Sequence, residues 1–364
     1  MGAIADIFRT FAPDYVARYP GLPPQHKKVI DAILACRTGE LGSAVYACTE
    51  CGTTHSVHRS CGNRHCPQCQ AHKTRLWLNS QLDRKLPGPH FLLTFTLPEP
   101  LRPVVRSHQR VGYDALFDSS SHAIKKLARD PRLLGSDLPG FSGVLHTWGR
   151  PMHYHPHIHY IVPAGGLSPD RQYWIPSRSD FYLPVQALSP IYRAFFKKRM
   201  RRAGLLSAID PAVWNMDWVV HCEPAGDGVN AFKYLARYVF RVAISDQRIV
   251  SFSPEERTVS FRYQPHDAEQ EVTTTVPAFE FLRRYLQHVL PSGFMKVRHF
   301  GFLNPNCAVP LEETRRLVTE ATGFTLPPEE PPLQRPVFFC PDCGATLVLF
   351  RRIPPLAREP PDTG

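Results

Sequence analysis

Apolar and polar residues alternate over 153–162 in the way that a β-strand requires. The stretch reads His-Tyr-His-Pro-His-Ile-His-Tyr-Ile-Val. Because successive side chains of a strand point to opposite faces, His157 and His159 share one face and the isoleucine between them lies on the other. Pro156 lacks a backbone N–H, so we expect the regular strand to begin after it. The pattern predicts a strand that presents a histidine pair and then continues into the core.

The same kind of pattern predicts further elements on both sides of this strand. Runs with a period near 3.6 residues predict helices, and short apolar runs bounded by turn residues predict strands. The predicted helices cover 4–11, 25–36, 70–86, 107–129, 185–200, 230–242, 277–290 and 311–321. The predicted strands cover 91–97, 141–147, 214–222, 248–252, 258–263 and 271–276, with 141–147 as the hairpin partner of the histidine strand.

The charge balance suggests a polyanionic partner. The 364 residues include 43 Lys and Arg against 32 Asp and Glu, which gives a formal net charge of +11. Such a bias favours nucleic acid, although a merely basic soluble protein remains the alternative. No apolar run approaches the roughly 20 residues that span a membrane. The beginning of the chain lacks a signal-peptide pattern, so we expect a cytoplasmic protein.

Cysteine pairs with CxxC spacing predict zinc rather than disulfides. Cys48, Cys51, Cys66 and Cys69 form two such pairs, and we predict that they hold one structural zinc ion in a basic zinc ribbon. This ribbon either braces the fold or also binds DNA. The residues between the two pairs could form a second site or contact nucleic acid or solvent: His55, His58, Cys61 and His65.

Two other cysteine features lie outside that predicted site. Cys36 stands alone in sequence, and we expect a buried apolar role for it. Cys340 and Cys343 form a single CxxC knuckle, a possible second zinc site. It needs two more ligands, for which Cys307 and His299 are the candidates.

The predicted helix 230–242 carries the second group of candidate chemical residues. Tyr234 and Tyr238 are four apart and therefore share a helix face, with Arg237 and Arg241 beside them. Core packing alone could explain such a tyrosine pair. A metal-binding histidine pair in a basic chain suggests instead that the two tyrosines are catalytic. A phenol oxygen can attack a phosphodiester, a bound Mg²⁺ or Mn²⁺ can polarise it, and arginines can offset the developing charge.

A basic run ends the predicted helix 185–200. Lys197, Lys198 and Arg199 either form a solvated face or contact phosphates of bound DNA. The histidine pair also has other interpretations, namely a solvated strand edge or a histidine-rich zinc site.

Taken in order, these motifs resemble the rolling-circle transposases of the insertion-sequence-91 family, which belong to the HUH endonucleases. The resemblance spans about 25–305 and rests on Cys48–Cys51, Ser60–Cys69, Leu145–Gly149, His155–His159, Tyr234–Tyr238 and Arg241–Ser245. It implies an α+β chain in which a zinc-ribbon module precedes a ferredoxin-like HUH nuclease domain. In that domain the histidines would lie centrally in an antiparallel sheet, beside the tyrosine helix.

The resemblance also implies roles for single residues. His157 and His159 would hold the catalytic Mg²⁺ or Mn²⁺, and Tyr234 and Tyr238 would be the nucleophile candidates. HUH sites usually have a third metal ligand. His146 is the first candidate, because a hairpin could set it across from the pair, and Asn230 is the second. If a single tyrosine suffices, we expect Tyr234 to be essential and Tyr238 auxiliary.

The implied activity is nicking and rejoining of single-stranded DNA, at element ends and target, through a covalent 5′-phosphotyrosine. The implied location is the bacterial cytoplasm, in association with the nucleoid. We predict three parts: a helical lead-in with the zinc module at 1–85, the nuclease domain at 86–305, and a Pro-rich C-terminal region at 306–364. Two alternatives stay open, a noncatalytic zinc-ribbon nucleic-acid-binding accessory protein and a plasmid replication initiator or relaxase of the HUH class.

Overall fold

The structure, a computed structural model, describes residues 2–240, 243–265, 268, 270–327 and 337–356. The helices of this described part are α1 (Ala3–Arg18), α2 (Pro24–Leu34), α3 (Ala71–Leu82), α4 (Arg102–Ser107), α5 (Gln109–Ala128), α6 (Val185–Arg202), α7 (Val229–Val239), α8 (Ala278–Leu286) and α9 (Leu311–Thr322). The strands are β1 (Ser43–Cys48), β2 (Thr54–His58), β3 (His90–Thr96), β4 (Phe141–Trp148), β5 (Tyr154–Pro163), β6 (Gly165–Leu167), β7 (Trp174–Pro176), β8 (Val220–Pro224), β9 (Ile249–Ser253), β10 (Thr258–Tyr263), β11 (Val272–Pro277), β12 (Val297–Phe300) and β13 (Leu347–Ile353).

The central element is a five-stranded antiparallel sheet in the order β12-β4-β5-β3-β8. The histidine strand β5 therefore lies in the middle of the sheet. In the pairing register His157 is opposite His146 of β4, and His159 is opposite Thr94 of β3. This position excludes the interpretation of the histidines as a solvated strand edge.

The two faces of this sheet carry different helices. Phe95, Ile158 and Tyr160 point to one face and are buried in a large core with α5 and α6. Val144 and Ile161 point to the other face and are buried against α7, with α3 packed behind it. The alternation along β5 thus puts the histidine pair under α7 and the intervening isoleucine in the main core.

Two predictions about strand ends were wrong. Pro156 lies inside β5, where two residues of β5 are opposite one residue of β4 between the pairs His146–His157 and Trp148–Tyr154. A β-bulge of this kind is a position that proline tolerates. The predicted strand 214–222 begins only at Val220, because Pro211–Asn215 forms a 3₁₀ turn capped by the Asp210 side chain.

The remaining sheets connect distant parts of the chain. In the three-stranded sheet β13-β1-β2, a strand from near the end of the chain pairs with one from near its beginning. The sheet β11-β10-β9 packs with α1, α2 and α8 around a second core. These observations confirm an α+β chain with antiparallel sheets, while the predicted domain boundaries stay a prediction. Within the described residues, no helix combines the length and the apolar character needed to cross a membrane.

Candidate active site

Three histidines converge on the α7 face of the central sheet. His157 and His159 come from β5 and His146 from β4, and one ring nitrogen of each lies within 4.8 Å of those of the other two. The ring centroids of His146 are 5.1 Å from His157 and 4.5 Å from His159. His146, the first candidate for a third metal ligand, therefore lies next to the pair. Asn230, the second candidate, is exposed in the first turn of α7.

Hydrogen bonds orient two of the three rings. Nδ1 of His157 lies 2.7 Å from the carbonyl oxygen of His155, to which it must donate its proton, so Nε2 keeps a free lone pair. Nδ1 of His159 lies 2.9 Å from Thr94 Oγ1, which can fix that ring in the same way. Within the described residues, Nε2 of His146 and Nε2 of His159 are buried and have no hydrogen-bond partner. Buried polar atoms without partners are costly, and a metal ion would satisfy them.

The electrostatics of the cluster keep its imidazoles neutral. Burial lowers the pKa of His157 to about 4. Burial, and then the neighbouring histidines, lower the pKa of His146 and of His159 well below the ordinary value. Neutral imidazole is the form that binds a metal ion, so the donor set fits one near neutral pH.

Helix α7 holds both candidate tyrosines against this cluster. Gly228 precedes the helix with φ 83°, and Asp227 accepts a hydrogen bond from the Val229 N–H at 3.1 Å. The Tyr238 ring centroid is 4.5 Å from that of His146, and the Tyr234 ring centroid is 5.9 Å from that of His159. Tyr234 is 40% exposed, whereas Tyr238 is half-buried. Partial burial of the side chain, and then the neighbouring tyrosine, raise the pKa of Tyr234.

Two further residues of this site were not predicted from the sequence. The Lys296 ammonium donates to the backbone carbonyl of Tyr238 at 2.7 Å and lies 4.8 Å from the centre of the Trp148 ring. Burial lowers the pKa of Lys296 to about 7. Trp148 could have been found, because it lies two residues after His146 and directly follows the predicted strand 141–147. Lys296 gave no such signal, since it reaches the site only through the pairing of β12 with β4.

The predicted DNA-contacting cations of α6 lie away from this site. Lys197, Lys198 and Arg199 lie on α6, on the opposite face of the sheet from α7. Arg199 forms an ion pair with Asp118 at 2.7 Å. Of the two predicted arginines near the tyrosines, Arg237 has its backbone in α7 but a side chain outside the described residues. Arg241 lies entirely outside them.

The cysteines form two clusters, and their members differ from those of the predicted sites. The structure separates Cys48 and Cys51 from Cys66 and Cys69, which corrects the predicted zinc-ligand set. The first cluster comprises Cys36, Cys61, Cys66 and Cys69, and the second comprises Cys48, Cys51, Cys340 and Cys343. Spacing along the sequence could not reveal which cysteine pairs share a cluster, because this depends on the pairing of β1 with β13. Cys36 is buried as expected, but among other thiols.

The other proposed zinc ligands have different partners. His58 Nδ1 lies 2.8 Å from Ser43 Oγ, and His65 Nε2 accepts the Leu290 N–H at 3.3 Å. His299 Nδ1 bonds Ser142 Oγ at 2.7 Å, and Cys307 packs in a separate apolar cluster. These residues form no further site with the lone knuckle. His55 differs, since its Nε2 lies 3.4 Å from Cys340 Sγ.

Comparisons with known proteins agree with this arrangement. Residues 7–97 match a family model described as "Transposase zinc-binding domain", of the insertion-sequence-91 type, and residues 140–309 match one described as "Putative transposase". The chain is 36% identical over 320 residues to "Putative transposase y4qJ" of Sinorhizobium fredii, which covers 82% of this chain and 80% of that one. The chain belongs to the insertion-sequence-91 family of transposases.

A second relative is similar to this transposase over most of the length of both chains. It is the transposase for insertion sequence element IS801 of Pseudomonas savastanoi pv. phaseolicola, 29% identical over 360 residues, with 90% of this chain and 84% of that one covered. No solved structure matches. The resemblance to this family is thereby confirmed, and the zinc-binding match together with the cysteine clusters supports structural zinc in the transposase.

Proposed function

We propose that this transposase nicks and rejoins single-stranded DNA through a covalent 5′-phosphotyrosine, in a metal-dependent reaction that drives rolling-circle transposition. The observation that carries the proposal is the position of Tyr234 and Tyr238 on α7 directly against the three histidines of the central sheet. A metal site beside two phenols is the combination that this chemistry needs.

His146, His157 and His159 would hold the divalent metal. The support is that all three are neutral, that their ring nitrogens converge, and that two of these nitrogens are buried without another partner. A bound Mg²⁺ or Mn²⁺ supplies charge that polarises the scissile phosphate and stabilises the leaving 3′-oxygen. The antiparallel sheet with its histidines on the middle strand also supports a ferredoxin-like HUH domain.

Tyr234 is our first candidate for the nucleophile, because its exposed ring is open to a DNA strand. Its phenol oxygen forms a bond to phosphorus, the bond from phosphorus to the 3′-oxygen breaks, and the phenol proton leaves to solvent while the 3′-oxygen gains one. Attack by a free 3′-hydroxyl reverses these steps and rejoins a strand without consuming ATP. Tyr238, between His146 and Trp148, would assist or serve a second strand transfer.

Basic residues beside the site offer a path for the strand. Arg102, Arg106 and His153 line an open cleft that also reaches His155, which neighbours the metal-binding pair on β5. Phosphate contacts of this kind supply sequence-independent affinity. We propose that DNA runs through this cleft and that the transposase acts in the cytoplasm, at the nucleoid.

Incubation with labelled oligonucleotides from the ends of its own element tests the proposed function. Single-stranded and duplex forms are compared in Mg²⁺, in Mn²⁺ and in chelator, and products are separated under denaturing conditions. We expect a covalent protein–DNA adduct with single strands and metal only. Binding without an adduct under all conditions would favour the accessory-protein alternative. An adduct formed equally with duplex DNA would contradict the choice of single strands.

A further inference from the structure

A second cluster of four thiols joins the two ends of the transposase. Cys48 and Cys51 flank the end of β1, and Cys340 and Cys343 form the knuckle that precedes β13. Only the first two lie within the region 7–97 that matches the zinc-binding family model. The cluster therefore extends beyond the domain to which zinc binding is assigned.

The spacing of the sulfur atoms fits a tetrahedral metal ion. Cys48 Sγ is 3.4 Å from Cys343 Sγ, and Cys51 Sγ is 3.8 Å from Cys340 Sγ. Zinc–sulfur bonds of about 2.3 Å at tetrahedral angles put the sulfurs about 3.8 Å apart, whereas a disulfide requires about 2.05 Å. The same distance recurs in the other cluster, where Cys61 Sγ and Cys69 Sγ are 3.7 Å apart.

The backbone around the cluster is shaped to present the thiols. The Gly344 N–H donates to the Cys340 carbonyl at 2.8 Å, and the Cys340 N–H donates to the Ala345 carbonyl at 2.7 Å, so the knuckle is a closed turn. The Thr49 N–H donates to the Thr346 carbonyl at 3.2 Å and continues the pairing of β1 with β13. The two halves of the cluster are thus aligned by strand pairing.

We propose that this cluster is a second structural zinc site, held jointly by the N-terminal zinc module and the C-terminal knuckle. A full chain then carries two zinc ions, one on Cys36, Cys61, Cys66 and Cys69 and one across the chain ends. The second ion clamps β13 onto β1 by joining Cys51 and Cys340, which are 289 positions apart in the sequence. This inference is independent of the proposed DNA chemistry.

His55 has a supporting place in this site. Its Nε2 lies 3.4 Å from Cys340 Sγ and 3.6 Å from the Asp342 carboxylate. Four thiolates complete a structural zinc site, so the imidazole donates a hydrogen bond to a ligand sulfur instead of binding the metal. Substituting His55 should weaken zinc retention without removing the ion.

Two measurements on the purified full chain test this assignment. The first is its zinc stoichiometry, and the second is whether the C-terminal fragment that contains the knuckle stays bound after the chain is cut. A site-specific protease sequence is introduced within 328–336, and the cut protein is passed over a sizing column. We expect two zinc ions per chain in the parent protein and a fragment that stays bound after cutting. The double variant C340S and C343S should hold one zinc ion and release the fragment.

Three further variants make the result specific. The double variant C222S and C307S removes the two cysteines outside both clusters and should keep two zinc ions. C51S should hold one zinc ion and release the fragment. It serves as the test if the double variant C340S and C343S, the knuckle variant, fails to fold. H55A should keep two. A single zinc ion in the parent protein would overturn the proposal, as would a fragment retained equally in the knuckle variant. Loss of zinc in H55A but not in C51S would overturn the four-cysteine ligand set.

Discussion

Thr94 Oγ1 and His159 Nδ1 lie 2.9 Å apart across the pairing of β3 with β5. The threonine therefore orients the imidazole through Nδ1, while the buried Nε2 has no hydrogen-bond partner among the described residues. Hydrogen-bonded partners of this kind usually contribute about 10- to 100-fold to metal affinity. We expect Thr94→Val to weaken Mn²⁺ binding by about that factor, with cleavage restored at higher metal concentration. Titration calorimetry measures the affinity, and Thr273→Val on β11, outside the central sheet, is the matched control. Unchanged affinity in Thr94→Val would remove this positioning role.

The histidine pair should separate cleavage from DNA binding. The double substitution of His157 and His159 by Ala removes two of the three ring nitrogens, while the cations that contact phosphates remain. We expect no covalent adduct and nearly unchanged affinity for single-stranded DNA in a filter-binding assay. His122→Ala is the control, because that ring stacks on Phe195 on the far side of the sheet. Full cleavage by the double variant would exclude the cluster from the mechanism.

The basic end of α6 should affect binding but not cleavage of short substrates. Lys197 and Lys198 lie on the face opposite the histidines, so only a longer strand that wraps around the domain can reach them. If both contact phosphates, the double alanine variant should reduce the slope of log affinity against log salt by about 1.4 for a long single strand. Cleavage of a short oligonucleotide should not change. An unaltered slope would assign these lysines to a solvated face.

The two cysteine clusters should differ in their effect on stability. Cys66 is 1% exposed and packs in the core formed with α1, α2 and α8, whereas Cys343 is exposed. Because structural zinc contributes folding free energy, we expect Cys66→Ser to lower the thermal unfolding midpoint strongly or to give insoluble protein. Cys343→Ser should leave the main unfolding transition almost in place. Circular dichroism against temperature makes the comparison, and the reverse order of the two midpoints would contradict it.

Local patterns in the sequence revealed the centre of the site. Alternation around Ile158 gave a strand with His157 and His159 on one face, and helical periodicity gave the tyrosine helix. Both elements are present, with ends shifted by a few residues. The prediction that 141–147 and the histidine strand form a hairpin also placed His146 next to the histidine pair. These features depend on side-chain periodicity and short connections, which a single sequence records directly.

Features that depend on distant pairings were not predictable in this way. Lys296 reaches Tyr238 only because β12 adds to the edge of the central sheet. The cysteines illustrate the same limit. Spacing indicated that the CxxC pairs bind metal, but it joined pairs that are neighbours in sequence. The pairing of β1 with β13 instead brings Cys48 next to Cys343. Nothing local to Cys36 indicated that it completes the other cluster.

The identity of the residue that carries DNA is the most direct test of the proposed mechanism. The adduct with a single-stranded element end is trapped, digested and mapped by mass spectrometry, in parallel with Tyr234→Phe and Tyr238→Phe. Phenylalanine keeps the packing of the ring and deletes only the hydroxyl, so the fold should persist. We predict a 5′-phosphotyrosine at Tyr234, no adduct in Tyr234→Phe, and a milder or strand-specific defect in Tyr238→Phe. A nucleotide mapped only to Tyr238 would reverse the ranking of the two tyrosines, and one mapped to neither would contradict the mechanism.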